Sequence, residues 1–312
     1  MRKLLQNKVA ESKLALPLAS VYATGVWLLC GLIQQQWWAQ FVCFGVSTIL
    51  MAQINNANAL IRIYSRMMSC SFLVLTCCAC FLFPFAHKGI MEMCIVGSIF
   101  MLFMSYQDKQ SVGYTYYAYV LFGIASIFYA QVLYYLPLLW LLSATQLQSL
   151  SWRTWGASLL GLLTPYWYES CLLVWAGDFT PLINHFARLA AFKVPFDFSI
   201  LSVSQIATFA LVAMTAITGI IHYINKHHDD KIRVRLIFGF FIWTDLATAL
   251  FLILQPQHYD CLMRIMIICT APLTAHFLAL TSTKMTNIAF CVFILLTLTL
   301  TGYNIWMFLS PS

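Results

Sequence analysis

The sequence predicts an all-α fold, a polytopic transmembrane helix bundle of about 11 spans with the N-terminus inside and the C-terminus outside. Of the 312 residues, 62% are hydrophobic and only 9% are charged, whereas a soluble domain carries about 25% charged residues. The apolar runs are continuous and mostly about 20 residues long, which fits helices crossing a bilayer and not the alternating segments of about 10 residues found in barrels.

The predicted spans cover most of the chain, so residues 1–312 are expected to form a single integral membrane domain. One apolar stretch, residues 114–142, is interrupted only by Gln131 and Pro137 and is divided into two short spans. The predicted spans are Leu14–Leu32, Trp37–Gln53, Met68–Phe85, Gly89–Tyr106, Tyr114–Ala130, Val132–Thr145, Thr154–Ala176, Ile200–Ile224, Leu236–Leu254, Cys261–Thr281 and Asn287–Leu309.

The basic residues predict the orientation. With the N-terminus inside, 13 of the 17 Lys and Arg fall in inner connections and 4 on the outer side, as the positive-inside rule requires. Joining the fifth and sixth spans would change the split to 10 against 7, so separate spans are preferred. The four outer basic residues are Lys88, Arg188, Lys193 and Arg264.

Three connections have features of their own. The outer connection Gly177–Phe198 has apolar residues at helical spacing and is expected to form a helix on the membrane surface. The inner segment Asn55–Arg66 is expected to continue the second span as a helix, with Asn58, Arg62 and Arg66 along one face. The inner loop His227–Asp230 is expected to be solvated rather than metal-binding.

Ionisable residues within spans are costly in lipid, so each is a candidate for function. Asp245 lies near the middle of the ninth predicted span, where Thr244 and Thr248 could share hydrogen bonds with it. One interpretation is a proton- or cation-binding site. The alternative is an interhelical pair or a neutral carboxylic acid.

Glu169 and Arg264 are the candidate catalytic residues. Gly161, Pro165 and Glu169 recur every four residues and share one helix face, on which Pro165 frees the carbonyl of Gly161. With the neighbouring aromatic residues, this face could bind a carbohydrate or a lipid head group. The alternative is an interfacial aromatic belt with a kinked helix.

Glu92, Arg188 and Asp245 are the candidate substrate-binding residues. Lys88 and Glu92 are four residues apart, as are Asp260 and Arg264, so each pair could form within its own helix. The alternative is that these charges extend from the helix ends to the interface. If Glu92, Glu169, Arg188, Asp260 and Arg264 converge, they would line a polar cavity at the outer side, and Glu169 and Arg264 are expected to face it as a water-filled cavity open to the outside.

No metal site, cofactor or nucleic-acid partner is predicted. Most of the 11 cysteines lie in apolar runs, where cysteine packs as a small hydrophobe, and Cys77 and Cys80 lack the second pair of a metal site. The positive charge lies in connections between spans and forms no separate basic face with interleaved aromatics. The expected partners are the lipid bilayer and either a lipid-linked substrate or other membrane subunits.

Two stretches carry a family resemblance. The first is Asn55-Asn56-Ala57-Asn58-Ala59-Leu60-Ile61-Arg62 with Arg66, and the second is Trp152-Arg153-Thr154 leading to Gly161-Leu162-Leu163-Thr164-Pro165-Tyr166-Trp167. Together they resemble an uncharacterised family of bacterial polytopic inner-membrane proteins. The resemblance spans about the first 180 residues and implies a multi-pass protein of the bacterial inner membrane, without implying an activity.

Three function classes therefore compete. The chain could be a membrane subunit of a cell-envelope assembly, an enzyme or polymerase acting on lipid-linked glycans at the outer face, or a secondary transporter. The enzyme would use Glu169 as its carboxylate and Arg188 or Arg264 for phosphate, whereas the transporter would use Asp245 as its coupling site. The short first outer loop argues against the enzyme, and the lack of a recognisable repeat argues against the transporter.

Overall fold

The computed structural model describes residues 4–192 and 194–310, which contain helices and no β-strand. The all-α prediction is therefore confirmed, while Arg2, Lys3 and Lys193 lie outside the described residues. Five helices, α5 and α10–α13 below, are at least 18 residues long and apolar enough to cross a membrane. The α-helices are α1 (Leu5–Ala10), α2 (Ala15–Leu29), α3 (Trp38–Asn58), α4 (Met67–Cys78), α5 (Ala86–Met104), α6 (Val112–Phe128), α7 (Leu136–Thr145), α8 (Trp152–Ala176), α9 (Thr180–Ala187), α10 (Val203–Lys226), α11 (Ile232–Leu254), α12 (Tyr259–Leu280) and α13 (Lys284–Leu309).

Each predicted span contains an α-helix, and the fifth and sixth are separate helices. α6 ends at Phe128, and a 3₁₀ helix, Ala130–Tyr135, leads into α7. Pro137 stands at the start of α7, where its missing N–H costs no helical hydrogen bond. After α7 the chain is back beside the end of α5, because the Gln107 backbone N–H donates to the Leu147 carbonyl at 2.8 Å.

Helix α12 is the centre of the bundle. Of its 22 residues, 19 are buried, and it packs against α4, α5, α10 and α11. Helix α8 is peripheral and packs mainly on α6. Only four residues of α13 are buried: Phe290, Thr297, Thr301 and Asn304. The apolar side chains that remain on these outer helices form the exposed surface that a bilayer would cover.

The short helix α1 is hydrogen-bonded to residues that lie far away in the sequence, at the end of α12 and the start of α13. Gln6 is buried and donates through Nε2 to the Leu278 carbonyl at 2.7 Å and to the Thr281 hydroxyl. The backbone N–H of Gln6 donates to Asn287 Oδ1 at 3.1 Å. Asn7 Nδ2 adds a bond to the Thr281 carbonyl at 3.1 Å. These bonds join α1 to the junction between α12 and α13.

The predicted continuation of the second span beyond residue 58 is wrong. Helix α3 ends at Asn58, and the next residue, Ala59, has a left-handed backbone with φ of 48°. Asn55 favours this ending because its side chain holds the loop that follows: Oδ1 accepts from the Ile61 N–H and Nδ2 donates to the Ser65 carbonyl, both at 3.2 Å. Residues 59–66 therefore form a loop that folds back against the end of α3.

The expected polar stripe of Asn58, Arg62 and Arg66 is also wrong, since only Asn58 is helical. Asn58 Oδ1 accepts from Arg233 at 2.7 Å, and Arg62 Nε donates to Asp230 at 2.6 Å. Arg62 therefore joins the loop 59–66 to the segment between α10 and α11, and Asn58 joins the end of α3 to the start of α11, where the sequence had indicated a solvated surface.

Candidate functional site

The candidate site is a column of three polar layers along the central helix α12, which we call outer, middle and inner after the orientation predicted from the sequence. Its members on that helix are Arg264, Thr270 and His276. They are spaced six residues apart, so successive layers are about 9 Å apart along the helix axis. All three are buried, and each faces a different neighbouring element because six residues turn a helix through about 240°.

The outer layer is an ion pair between Arg264 and Glu92. Arg264 Nη1 donates to Glu92 Oε2, and Nη2 donates to the carbonyl of Leu82. Arg264 is 6% exposed and Glu92 4% exposed. The expectation that these charges extend to the interface is therefore wrong for both. Arg264 and Glu92 are instead buried and neutralise each other between α12 and α5.

The two ion pairs that the sequence predicted within single helices form between α5 and α12 instead. Lys88, on α5, pairs with Asp260 on α12 at 2.6 Å, with both side chains partly exposed. The predicted pairs Lys88–Glu92 and Asp260–Arg264 are thus replaced by Lys88–Asp260 and Glu92–Arg264. The cavity that Glu92 and Arg264 line has a volume of only about 10 Å³, which is too small for a substrate.

The middle layer is a single buried carboxyl. Asp245 on α11 is 2% exposed, and its Oδ1 accepts a hydrogen bond from Thr270 Oγ1 at 3.1 Å. The hydrogen bonds expected from Thr244 and Thr248 to Asp245 are not formed. Each of these threonines donates instead to a backbone carbonyl four residues earlier in α11. A threonine hydroxyl on a helix commonly donates to the backbone in this way. The hydrogen-bond donor to Asp245 therefore comes from the neighbouring helix α12.

The inner layer joins α12 to two loops. Asp230 Oδ2 lies 3.1 Å from His276 Nε2, and Asp230 Oδ1 accepts from Arg62 Nε at 2.6 Å. The side chains of Asp230 and His276 are fully buried, whereas that of Arg62 is 38% exposed. Asp229, the next residue, lies 3.8 Å from Arg62 and remains exposed. The prediction of a solvated His227–Asp230 loop is wrong for Asp230.

Two nitrogen atoms of the inner layer have no hydrogen-bond partner among the described residues. They are His276 Nδ1 and His222 Nε2, both buried. The two imidazole rings are 5.4 Å apart, centroid to centroid, with the His222 ring on α10. Buried polar atoms without a partner are costly, so these two nitrogens are the least satisfied atoms of this layer.

Asp230 is the residue of this site that sequence reasoning missed. It stands in the run His227-His228-Asp229-Asp230, whose polarity predicts a loop in water. A hydrophobicity pattern cannot distinguish the inward from the outward acid of two adjacent residues. His276 was a usable signal, because a histidine deep in an apolar span needs a polar partner from elsewhere in the chain.

Glu169 lies away from this column. Its helix, α8, presents Gly161 and Pro165 to α6 rather than to a cavity. A Cβ on Gly161 would come within 2.4 Å of the Tyr116 carbonyl oxygen, and Pro165 approaches Gly123. The face thought to bind a ligand is therefore a close helix-packing face. Among the described residues, Glu169 does not line the cavity beside Arg264, so the structure does not bring the two candidate catalytic residues together.

The surroundings of Glu169 form a smaller group near α9. The Tyr166 hydroxyl lies 2.7 Å from the Ser126 hydroxyl and 3.3 Å from His185 Nε2. Burial lowers the pKa of His185, and the nearby Glu169 carboxylate opposes part of that shift. Glu169 Oε2 is buried without a hydrogen-bond partner in the part of the chain described here.

Arg188 marks the end of the surface helix α9. Its side chain is exposed, while its carbonyl accepts a bond from Gln131 Nε2 at 3.2 Å. The predicted helix in the connection 177–198 is present as α9 and a following 3₁₀ turn, Arg188–Ala190. Arg188 therefore lies on the side of the bundle where α6 ends, on the surface rather than in the column.

Among the described residues, no group of three His, Cys, Asp or Glu side chains is arranged to hold a metal ion. Cys77 and Cys80, the CxxC pair, are both buried and free of disulfides. Comparison of the chain with protein-family models, with curated proteins and with solved structures gave no match.

Proposed function

We propose that this chain is a multi-pass protein of a bacterial inner membrane with its N-terminus on the cytoplasmic side. The support is the 13 to 4 distribution of Lys and Arg. Contacts between these basic connections also support the proposal, because they gather the connections at one end of the bundle, the end where α1 lies. Arg62 pairs with Asp230, Arg233 bonds Asn58, and Ser151 donates to the Lys109 carbonyl at 2.8 Å.

Within that membrane, we propose secondary transport coupled to a proton or small cation. One observation carries the proposal: Asp245, a buried carboxyl bonded through a single Thr270 hydroxyl, lies on the central column between an ion pair and an Asp–His cluster. Acids and histidines placed in sequence through a bundle are characteristic of proton paths. The cavity beside its neighbour Thr244 is about 20 Å³, which is room for a water molecule but not for a larger substrate.

The test is a charge-movement measurement that does not require the substrate. Purified protein in proteoliposomes is exposed to a rapid pH jump, and the transient current is recorded. Wild type and the exposed-acid control Asp229→Asn should give the same current, whereas Asp245→Asn should lose it at unchanged abundance. The carboxamide oxygen of the variant can still accept from Thr270, so folding is expected to survive. An unchanged current in Asp245→Asn would contradict the proposal.

The second candidate function is a non-catalytic membrane subunit of a cell-envelope assembly. The observation favouring it is the Glu92–Arg264 pair, in which the two buried charges are neutralised within the chain. If Asp245→Asn lowers abundance while the charge movement of the remaining protein is normal, this candidate becomes the better one.

The third candidate, an enzyme acting on lipid-linked glycans, has the least support. Arg264 is engaged by Glu92 and the Leu82 carbonyl and is not free to bind phosphate. Glu169 belongs to the peripheral helix α8, which packs mainly on α6.

A further inference from the structure

A long groove runs along the outside of the bundle between α2 and α3. Its volume is about 410 Å³, within the range of about 300–1,000 Å³ typical of ligand sites. On α3 it follows every fourth residue in two rows, from Phe41 to Gln53 and from Phe44 to Asn56, over a length of about 22 Å. Its lining residues are Leu16, Ser20, Ala23, Thr24, Phe41, Phe44, Gly45, Thr48, Ile49, Ala52, Gln53, Asn56, Arg66 and Leu73.

Small side chains keep this groove open. Ala23 on α2 and Gly45 and Ala52 on α3 all line it. A Cβ added to Gly45 would meet no other atom within 4 Å. The space above Gly45 is therefore unfilled by the protein itself, and a larger residue there would enter the groove without disturbing the packing of α3.

The two ends of the groove differ in polarity. Phe41 and Phe44 line one end, whereas Gln53, Asn56 and Arg66 line the other, which is the end of the bundle nearest α1. Arg66 has no carboxylate within 4 Å among the described residues. Its Nε contacts the Tyr64 hydroxyl at 3.4 Å, and its guanidinium lies over the Tyr64 ring. The groove thus has an apolar body and one cationic, amide-bearing end.

The position of Arg66 is determined by its loop. Asn55 bonds the backbone of Ile61 and Ser65, and the Ser65 hydroxyl accepts from the Met67 N–H at 3.2 Å. These bonds fix both sides of Arg66 at the mouth of the groove. The Asn55–Arg66 stretch therefore holds the Arg66 guanidinium beside the apolar part of the groove.

We propose that this groove binds an anionic phospholipid, with its phosphate at Arg66, Gln53 and Asn56 and an acyl chain along α3 toward Phe41. The guanidinium and two amides supply the charge-assisted and neutral donors that a phosphate diester accepts. The apolar remainder matches a hydrocarbon chain in shape and polarity. A transmembrane helix of a partner protein would leave the Arg66 charge without a counterion unless it also carried an acid at that depth.

The experiment measures lipid binding to the purified full-length protein by native mass spectrometry. The probes are dioleoylphosphatidylglycerol, dioleoylphosphatidylcholine and inorganic phosphate. The test variants are Arg66→Gln, which removes the charge, and Gly45→Leu, which fills the apolar space. The matched controls are Arg153→Gln, an exposed arginine on α8, and Gly302→Leu, a helical glycine on α13 with open space around its Cβ position.

Wild type should bind phosphatidylglycerol about tenfold more tightly than phosphatidylcholine. Both lipids carry the phosphate diester, but the choline cation of phosphatidylcholine offsets the phosphate charge and is repelled by Arg66. Arg66→Gln should remove this preference, and Gly45→Leu should weaken the binding of both lipids. The two control variants should bind both lipids as wild type does. Inorganic phosphate should not displace the lipid, because it cannot use the apolar body.

Four results would overturn the proposal. Equal loss in Arg66→Gln and Arg153→Gln would mean that any surface arginine attracts the lipid. Normal binding by Gly45→Leu would place the lipid elsewhere. Displacement by inorganic phosphate would indicate a free-anion site, and a dimer or partner chain protecting the groove from lipid would indicate a protein occupant.

Discussion

Arg264 on α12 pairs with Glu92 on α5, and the two residues are 172 positions apart in the chain. Lys88 and Asp260, one helical turn away, are separated by the same 172 positions. The two helices therefore run in the same direction and in register. The order of charges is basic then acidic on α5, and acidic then basic on α12. Sliding one helix by a turn would bring Glu92 opposite Asp260, so the pattern also disfavours the wrong register.

Breaking the buried pair should be strongly destabilising. Glu92→Gln leaves Arg264 charged in the core and should lower the free energy of unfolding by about 3–5 kcal/mol. The double variant Glu92→Leu with Arg264→Met removes both charges and should regain most of that loss. Lys88→Gln, in the partly exposed pair, is the control and should cost about 1 kcal/mol or less. Thermal denaturation in detergent measures all three, and equal effects of Glu92→Gln and Lys88→Gln would contradict the burial argument.

Asp230 and Asp229 offer a test with adjacent residues of the same type. Asp230→Asn removes the charge that bonds Arg62 and lies beside His276, and should destabilise the protein by about 1.5–3 kcal/mol. Asp229→Asn changes an exposed acid and should have an effect within about 0.5 kcal/mol. The measurement is the same denaturation experiment. Similar small effects in both variants would show that the inner layer does not stabilise the loop.

Gly161 should be intolerant of any side chain. Gly161→Ala places a Cβ 2.4 Å from the Tyr116 carbonyl oxygen, which forces α8 away from α6 and should cost about 1–3 kcal/mol. Gly156→Ala, five residues earlier in the same helix and with no atom within 4 Å of its added Cβ, should be neutral or stabilising by up to about 1 kcal/mol. A tolerated Gly161→Ala would show that α6 and α8 are further apart than described.

The orientation can be tested with reporter fusions. Fusions ending at Lys109 and Lys226 should report the cytoplasmic side, and a fusion ending near Arg188 should report the opposite side, because basic connections are retained on the cytoplasmic face. A cytoplasmic signal near Arg188 would contradict the division into 11 predicted spans and the proposed orientation with it.

Hydrophobicity was sufficient to predict eleven of the helices, α2–α8 and α10–α13, because a long apolar run is visible in the composition of the segment itself. Hydrophobicity could not predict which side chains form hydrogen bonds or ion pairs with each other. The four-residue spacing of Asp260 and Arg264 permits a bond within α12, yet both bond to α5, since only the assembled bundle determines which helix lies alongside. Asp245 shows the same limit: its sequence neighbours Thr244 and Thr248 bond their own backbone, and Thr270 supplies the hydroxyl from 25 positions away.

The Gly161–Pro165–Glu169 face shows why residue spacing alone cannot identify a ligand site. Spacing correctly predicts that these residues share a face, but the same small residues that would open a ligand cleft also allow two helices to approach closely. Only the position of α6 distinguishes the two outcomes. Asp230 was missed for the opposite reason, since its burial depends on Arg62 and His276, which lie 168 and 46 positions away.

The bonds from Gln6 and Asn7 to Leu278, Thr281 and Asn287 have a consequence for the order of assembly. A ribosome adds residues in the order of the sequence, so α1 is synthesised more than 270 residues before its partners. It therefore cannot form these bonds until the end of α12 and the start of α13 have been made. The attachment of α1 is thus a late step in the assembly of these helices, although its sequence precedes theirs.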